Sequence, residues 1–424
     1  MSSLLKPIDV VAKYLNSLND EYRQIPFEEL KAMTTFERFK LYNWTFELLC
    51  LGIMVAIFVV SQIGTRMNLS MADKLFDSLL TYLKDTLMFA RVGINGPVAT
   101  KKHYLDNYLH TWLTSFATGR STIESVYIKL HLLRRNNVFS LIADNIVGSL
   151  FPSLSPGTLD EYVEIVITPN GIYVADESSK WAGNDDGERH HSLKLINDTL
   201  NSLRFIAAIV NKSNMNKARH DNYFLSITHT TESSSLPYEY VYMCELNQLS
   251  DFFSQYCGNK QQFNEYLSDA SEFLQFMAFT DLPSEKPTNP KEFSESRSPK
   301  CIIRASVPRQ KAQLEALNGL VGVAVEIYDN FTRATMSQQQ QQQSKVVLTA
   351  ETVKKINALR DTELQKLVRA AAEAKLEKQR EAEKEALKEK RREMKRSGEQ
   401  EKLDLKMKEK RERRQRNKMK VRPA

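Results

Sequence analysis

Residues 44–64 read WTFELLCLGIMVAIFVVSQIG, and this stretch decides where everything else is placed. From Leu48 to Thr65, eighteen residues pass without a charge, and Leu48 to Val60 is apolar apart from Gly52. At ~1.5 Å per residue such a run crosses most of a ~30 Å hydrocarbon core. Tyr42 and Trp44 are aromatics of the kind that settle at a bilayer surface. The pattern predicts a single transmembrane helix over residues 42–65, anchored by Trp44, Leu48, Leu49, Ile53, Val55, Ile57, Phe58, Val59 and Val60. Glu47 falls at its start, where a carboxylate can reach the headgroups. The competing reading is a buried core helix, because eighteen residues only just meets the length of a span.

Composition limits the rest. The 424 residues are 42% hydrophobic with a mean hydropathy of −0.43, which excludes a multi-span channel and fits a soluble body on one anchor. The net charge of +7 is uneven: residues 375–424 carry 21 Lys and Arg against 11 Asp and Glu, so the remainder is slightly acidic. A basic end of this kind should face an anionic partner. Cys50, Cys244, Cys257 and Cys301 have no CxxC spacing, so reduced thiols are expected. The first forty residues contain no apolar run of the signal-peptide kind, which leaves the helix at Trp44 as the targeting element.

Residues 1–41 are charge-balanced, with a small amphipathic helix expected over Asp9 to Leu18. The basic residues flanking the span, Lys31, Arg38 and Lys40 before it and Arg66 and Lys74 after it, do not decide its orientation. Within residues 66–99, Leu75, Leu79, Leu83 and Leu87 recur every fourth position, which predicts an amphipathic helix docked on the following domain or lying on the bilayer.

Residues 100–335 mix strand and helix signals, so the fold class is a mixed α/β domain on a single transmembrane helix, followed by a long charged C-terminal helix. Alternation predicts a half-buried strand over Ser125 to Leu133, and helical spacing follows over Val138 to Leu150. Tyr162 to Thr168 and Ile172 to Ala175 flank Pro169, Asn170 and Gly171, a turn suited to a hairpin. Apolar runs predict helices over Leu193 to Val210, Tyr242 to Tyr256 and Phe263 to Phe279. A last strand over Cys301 to Val307 leads into a helix from Gln310 to Arg333.

Six glutamines, Gln338 to Gln343, mark a linker over residues 336–348. Over residues 349–397, Thr349 is placed to cap a helix with Val353, Ile356, Leu364, Leu367, Ala371 and Ala374 on one side. Beyond Ala374, Glu377, Glu381, Glu385, Glu389 and Glu393 each have a base three positions later. Such pairs add ~0.2–0.5 kcal/mol each to an exposed helix. With no apolar seam there, the expectation is a solitary rod broken at Ser397 and Gly398. In residues 398–424 the balance fails: Lys408, Lys410, Arg411, Arg413, Arg414, Arg416, Lys418, Lys420 and Arg422 face few acids. Unbalanced bases with few interleaved aromatics or amides fit phosphate-backbone binding with little sequence readout, RNA being the simplest partner. Nuclear import and anionic lipid are the other functional readings, and a solvated charge run is the bland one.

No P-loop, GxSxG or HExxH occurs, so an enzyme is not indicated and no cofactor is expected. Asn184, Asp185, Asp186, Glu188, His190 and His191 form the one suggestive polar cluster, but their spacing fits a solvent loop better than a metal site. Asn197, Asn211 and Asn330 fit the N-glycosylation pattern and would carry glycans only if they faced the lumen.

Tyr108-Leu109, Trp112, Thr118-Gly119-Arg120, the strand ending Leu132-Leu133-Arg134-Arg135, the segment IIRASV at Ile302 to Val307 and the closing RRQRNKMKVR together resemble the calumin family, the coiled-coil-domain subunit of the PAT complex, in a short fungal-like form. The resemblance covers roughly residues 40–424 and rests on the order of short motifs. It implies an endoplasmic reticulum membrane protein with a luminal N-terminus and a cytosolic domain. It also implies association with the ribosome and the Sec translocon, a small membrane chaperone of the asterix type as partner, and a role in biogenesis of multi-pass membrane proteins. Ribosomal RNA contact would fall on the nine bases from Lys408 to Arg422 named above. The family's long acidic luminal region has no counterpart in residues 1–41, so calcium binding is not carried over.

Overall fold

The computed structural model describes residues 19–94, 103–150, 160–170, 173–175, 193–195, 203–287, 293, 298–340, 350–396 and 399–420. Three short helices, α1 (Asp20–Gln24), α2 (Phe27–Ala32) and α3 (Thr35–Leu41), lead into one long helix, α4 (Thr45–Asp85). Strands β1 (Arg91–Val92), β2 (Leu105–Tyr108), β3 (Trp112–Thr118) and β4 (Ile123–His131) follow, and α5 (Val138–Leu150) separates β4 from β5 (Tyr162–Pro169). A small pair, β6 (Tyr173–Ala175) and β7 (Leu193–Leu195), precedes β8 (Ala207–Asn211). Next come α6 (Met215–Asp221), α7 (Tyr223–Ser226), β9 (His229–Thr231) and β10 (Tyr240–Cys244). After α8 (Asp251–Tyr256), α9 (Lys260–Asp269), β11 (Leu274–Thr280) and β12 (Lys300–Ser306), the chain closes with α10 (Lys311–Gln340), α11 (Ala350–Arg396) and α12 (Glu399–Lys420).

One antiparallel sheet organises the domain, in the order β1-β3-β4-β5-β12-β11-β8-β10-β9 with β2 also on β3. Alternation explains its first half. Val126, Ile128 and Leu130 on β4 and Val163, Ile165 and Ile167 on β5 turn to one face and are fully buried, while Tyr127, Lys129 and Glu164 turn to the other. That buried face packs against the second half of α4, through Leu75, Phe76, Leu79 and Leu83, and against α10, through Leu317, Leu320, Val321 and Ala324. Full burial of a Leu or Phe side chain contributes ~1.5–3 kcal/mol, so these four α4 residues alone fix the helix firmly to the domain. The Leu75 stripe is therefore a docking face rather than a bilayer-surface helix, and it continues the apolar helix without a break.

The second half of the sheet is covered on both faces. Phe224, Leu225 and Ala218 of α6 and α7, together with Leu367 of α11, pack over Ala208, Val210, Val241, Met243 and Phe276. This double cover is why the helix expectations fail over β8, β10 and β11. Leu193–Leu195 and Ala207–Asn211 are strands, so no helix runs from Leu193 to Val210. The run from Tyr242 begins in β10, with helix only over Asp251–Tyr256, and the run from Phe263 leaves helix at Asp269 and enters β11. A strand buried on both faces loses its alternation and reads as a continuous apolar run, as a buried helix does. The expected β5–β6 hairpin is also absent, because β5 pairs with β4 and β12 while β6 pairs with β7.

The glutamine run is partly helical, since α10 extends through Gln340. The expected Asp9 to Leu18 helix, the Asn184 to His191 cluster, the rest of the glutamine linker, the Thr349 cap and the Ser397-Gly398 break lie outside the described residues.

Candidate functional site

The first half of α4 is bare. Leu48, Leu49, Ile53, Val55, Phe58, Val59 and Val60 are exposed, Ile57 is half-buried, and Trp44 keeps 38% of its surface open. The most apolar eighteen-residue window of this helix is 0% buried, where a core helix would be mostly covered. The buried-core reading therefore fails, and Thr45–Asp85 is a candidate membrane span by length and composition.

At Gly64 the bare half ends against the domain. A Cβ there would come within 2.1 Å of the Arg135 carbonyl oxygen and 2.9 Å of the Asn136 nitrogen, so the backbone loop after β4 sits directly on the helix. One turn on, Asn68 is fully buried. Its amide donates to the carbonyls of His110 at 3.1 Å and Leu133 at 2.9 Å, and its oxygen accepts from Arg135 at 2.9 Å. Arg135 pairs with Glu161 at 2.5 Å, and Glu161 also accepts from the Leu133 amide at 3.2 Å and pairs with Arg309 at 3.3 Å. Burial pushes the Glu161 carboxyl up, but Arg135, the Leu133 amide and Arg309 together hold it below the ordinary range. A polar knot thus closes the domain around α4 just beyond the apolar run.

Helix α5 starts at the same place, with the Asn137 side chain accepting from the Ser140 amide at 3.2 Å as an N-cap. Phe139, Ile142, Ile146 and Leu150, spaced to share one face, are 66, 50, 52 and 66% exposed. The domain therefore carries a second open apolar surface adjoining the bare helix.

The charged helix begins inside the domain. Thr352, Ile356 and Leu367 of α11 are buried, and between them Arg360 is only 3% exposed. Its guanidinium contacts Glu245 at 2.9 and 3.1 Å and Asp281 at 2.6 and 2.7 Å. Glu245 also accepts from the Ile206 amide at 3.1 Å. Burial pushes the Glu245 carboxyl up against the pull of Arg360, while the two carboxylates outweigh burial at Arg360 and keep its charge fixed. Helix α11 is thus clamped over its first five turns, along the apolar side that carries Ile356, Leu364 and Leu367, and the solitary rod expected beyond Ala374 continues from that clamped part. Sequence reading missed Arg360. The available signal was a base on the apolar side of the helix, in line with Ile356, Leu364 and Leu367.

At the far end, Lys408, Lys410, Arg411, Arg413, Arg414 and Arg416 lie on α12 and are all exposed. Lys418 and Lys420 belong to the same helix, and Arg422 lies outside the described residues. At 100° per residue the six exposed bases fall on every side of the helix, so none of its faces is left neutral.

Among the described residues no group of three or more His, Cys, Asp and Glu could hold a metal ion. All four cysteines are unpaired, three of them buried. Asn211 sits in a central strand, 5% exposed, with its amide on the Ser271 carbonyl at 2.8 Å, and Asn330 donates to the Tyr256 carbonyl at 2.9 Å. Neither is placed to carry a glycan in the folded chain; Asn197 lies outside the described residues.

The family of PAT complex subunit CCDC47 matches residues 43–414, from the start of α4 into the basic stretch of α12. This chain belongs to that family. A UPF0674 endoplasmic reticulum membrane protein of Saccharomyces cerevisiae is 41% identical over 366 residues, covering 86% of this chain and 85% of that one. Its counterpart in Schizosaccharomyces pombe, a UPF0674 endoplasmic reticulum membrane protein, is 25% identical over 318 residues and 74% of each chain. The CCDC47 family is the one read from Tyr108 to Arg135 and from Ile302 to Val307. Bare helix, Arg360 clamp and most of the basic run all fall inside the matched stretch, whereas α1 to α3 precede it.

Proposed function

We propose that this protein is a non-enzymatic adaptor of the endoplasmic reticulum membrane that assists biogenesis of multi-pass membrane proteins. The first half of α4 spans the bilayer with its N-terminal end in the lumen, and the domain lies on the cytosolic side. The exposed face of α5 rests on that leaflet next to the span. From the Arg360 clamp, α11 carries α12 away from the domain, and Lys408, Lys410, Arg411, Arg413, Arg414, Arg416, Lys418, Lys420 and Arg422 meet ribosomal RNA. The Sec translocon and a small chaperone of the asterix type are the membrane partners. Holding ribosome and translocon in one geometry leaves room beside the translocon for nascent helices to gather before lipid meets their polar groups.

The observation that carries this reading is the continuity of α4, whose one half is bare and apolar and whose other half is core of the domain from which the basic helix springs. Its support from relatives is the family match and the relatives' names. The rival partner for α12 is anionic lipid of another bilayer. A helix lying on a membrane needs an apolar face opposite its bases, and the encircling bases of α12 fit a phosphate-lined groove better.

Sedimentation of detergent-solubilised membranes tests it, comparing the full chain with one truncated after Ser397 across a salt series. The full chain is expected to travel with ribosomes in a nuclease- and salt-sensitive way, and the truncation to stay light. Both staying light at low salt, with the full chain binding anionic liposomes, would replace the ribosome by lipid.

A further inference from the structure

Ahead of the span, the sequence repeats itself. Phe27-Glu28-Glu29-Leu30-Lys31 and Phe36-Glu37-Arg38-Phe39-Lys40 place an aromatic, an acid and then an apolar-Lys pair at matching positions, nine residues apart. Each repeat forms one short helix, α2 and α3. Three and four residues separate neighbours on a helix face, so Phe27 joins Leu30, and Phe36 joins Phe39, with the Lys at the rim of each pair. These aromatics are open: Phe27 is 79%, Phe36 75% and Phe39 60% exposed.

The two helices do not hang loose. The Arg38 guanidinium donates to the carbonyls of Lys31 at 3.3 Å and Met33 at 3.0 Å, which ties α3 to the end of α2. Thr34 and Glu37 form a capping box at the start of α3. The Trp44 indole donates to the Phe39 carbonyl at 2.9 Å, and the two rings lie 4.7 Å apart. Asn19 and Asn43 exchange hydrogen bonds at 3.2 and 2.9 Å, folding the segment back on the start of α4. Exposed aromatics are therefore held at a set height beside the end of the bare helix, with only Tyr42 to Trp44 between α3 and α4.

We infer that α2 and α3 lie in the headgroup layer of the leaflet opposite the folded domain, as a lipid-contacting surface separate from the span and from α5. The occupant is the boundary between headgroups and acyl chains, because the segment is continuous with the span and ends in an interfacial Trp. Acids and bases nearly balance over this stretch, so the attraction comes from aromatic burial and does not require anionic lipid. Lys31 and Lys40 extend from the aromatic faces to the phosphates. The inference rests on α4 being a membrane span.

The test uses the full chain in phosphatidylcholine vesicles, with spin labels on single introduced cysteines and the unsubstituted chain as background. Phe27→Cys and Phe36→Cys are compared with Glu28→Cys and Glu37→Cys, each Phe variant leaving the other aromatic helix intact, and Phe58→Cys reports the span separately. The expected result is oxygen access over access to a water-soluble nickel chelate several-fold higher at 27 and 36 than at 28 and 37, unchanged by salt or anionic lipid. Nickel access equal at all four, with 58 in lipid, would make the segment a free tail and overturn this inference alone. Shielding of 27 and 36 from both reagents would mean a protein covers them, which also overturns it. Nickel access at 58 would remove the span and the inference together.

Discussion

Arg360 shows how much one side chain can hold. It neutralises two carboxylates that are 2% and 0% exposed, so removing it leaves both buried without a counter-charge. Arg360→Met should cost about 3–5 kcal/mol in thermal or denaturant unfolding of the solubilised chain, and should open α11 near Leu364 to protease. Adding Glu245→Gln and Asp281→Asn to that variant should recover much of the loss, since no stranded charge remains. Glu161 acts at the other end of the domain, and its depressed carboxyl gives the effect a sign. Its contribution is complete above the unfolded value near 4.5 and is lost as pH falls through the lower folded value. Amide protection over residues 132–136 should therefore weaken below about pH 4.5. In Glu161→Gln it should already be weak at neutral pH. These partners could not be read from the chain, because Arg360 meets residues 115 and 79 positions away, and no local pattern encodes such a meeting.

Among the elements, α4 was legible in two pieces and not as one. The uncharged run and the leucine stripe were both plain, and no proline falls between Gly64 and Leu75 to break the helix, but joining them requires knowing that the domain closes around it. The same limit applies to the sheet. Strand β4 announced itself because its other face, with Tyr127 and Lys129, stays polar or open. Strands β8, β10 and β11 did not, because helices on both sides erase the alternation. Gly64 makes the closure of the domain on α4 testable. Gly64→Val must push against backbone of the Arg135 loop, so it should cost about 1–3 kcal/mol in thermal unfolding and make residues 133–137 protease-sensitive in vesicles. Gly52→Val has nothing within 4 Å to push against and should leave both readouts unchanged.

For the whole molecule, the bare apolar helix and the basic end were legible at once, since both are departures in composition that survive any folding. What lies between them, the order of the sheet and the Arg360 clamp, is set by contacts distant in sequence. One consequence follows from the two ends of the bare helix together. At Trp44 the helix is stopped by a folded aromatic clasp, and at Gly64 by the backbone of the domain seated on it. An ordinary span meets a thicker or thinner bilayer by sliding and by extending side chains from its ends. As the span proposed above, this helix can only tilt, because neither stop can enter the hydrocarbon. Twenty steps at ~1.5 Å set the gap at ~30 Å, so the protein is a caliper, at home in thin bilayers and strained in any thicker than its jaws.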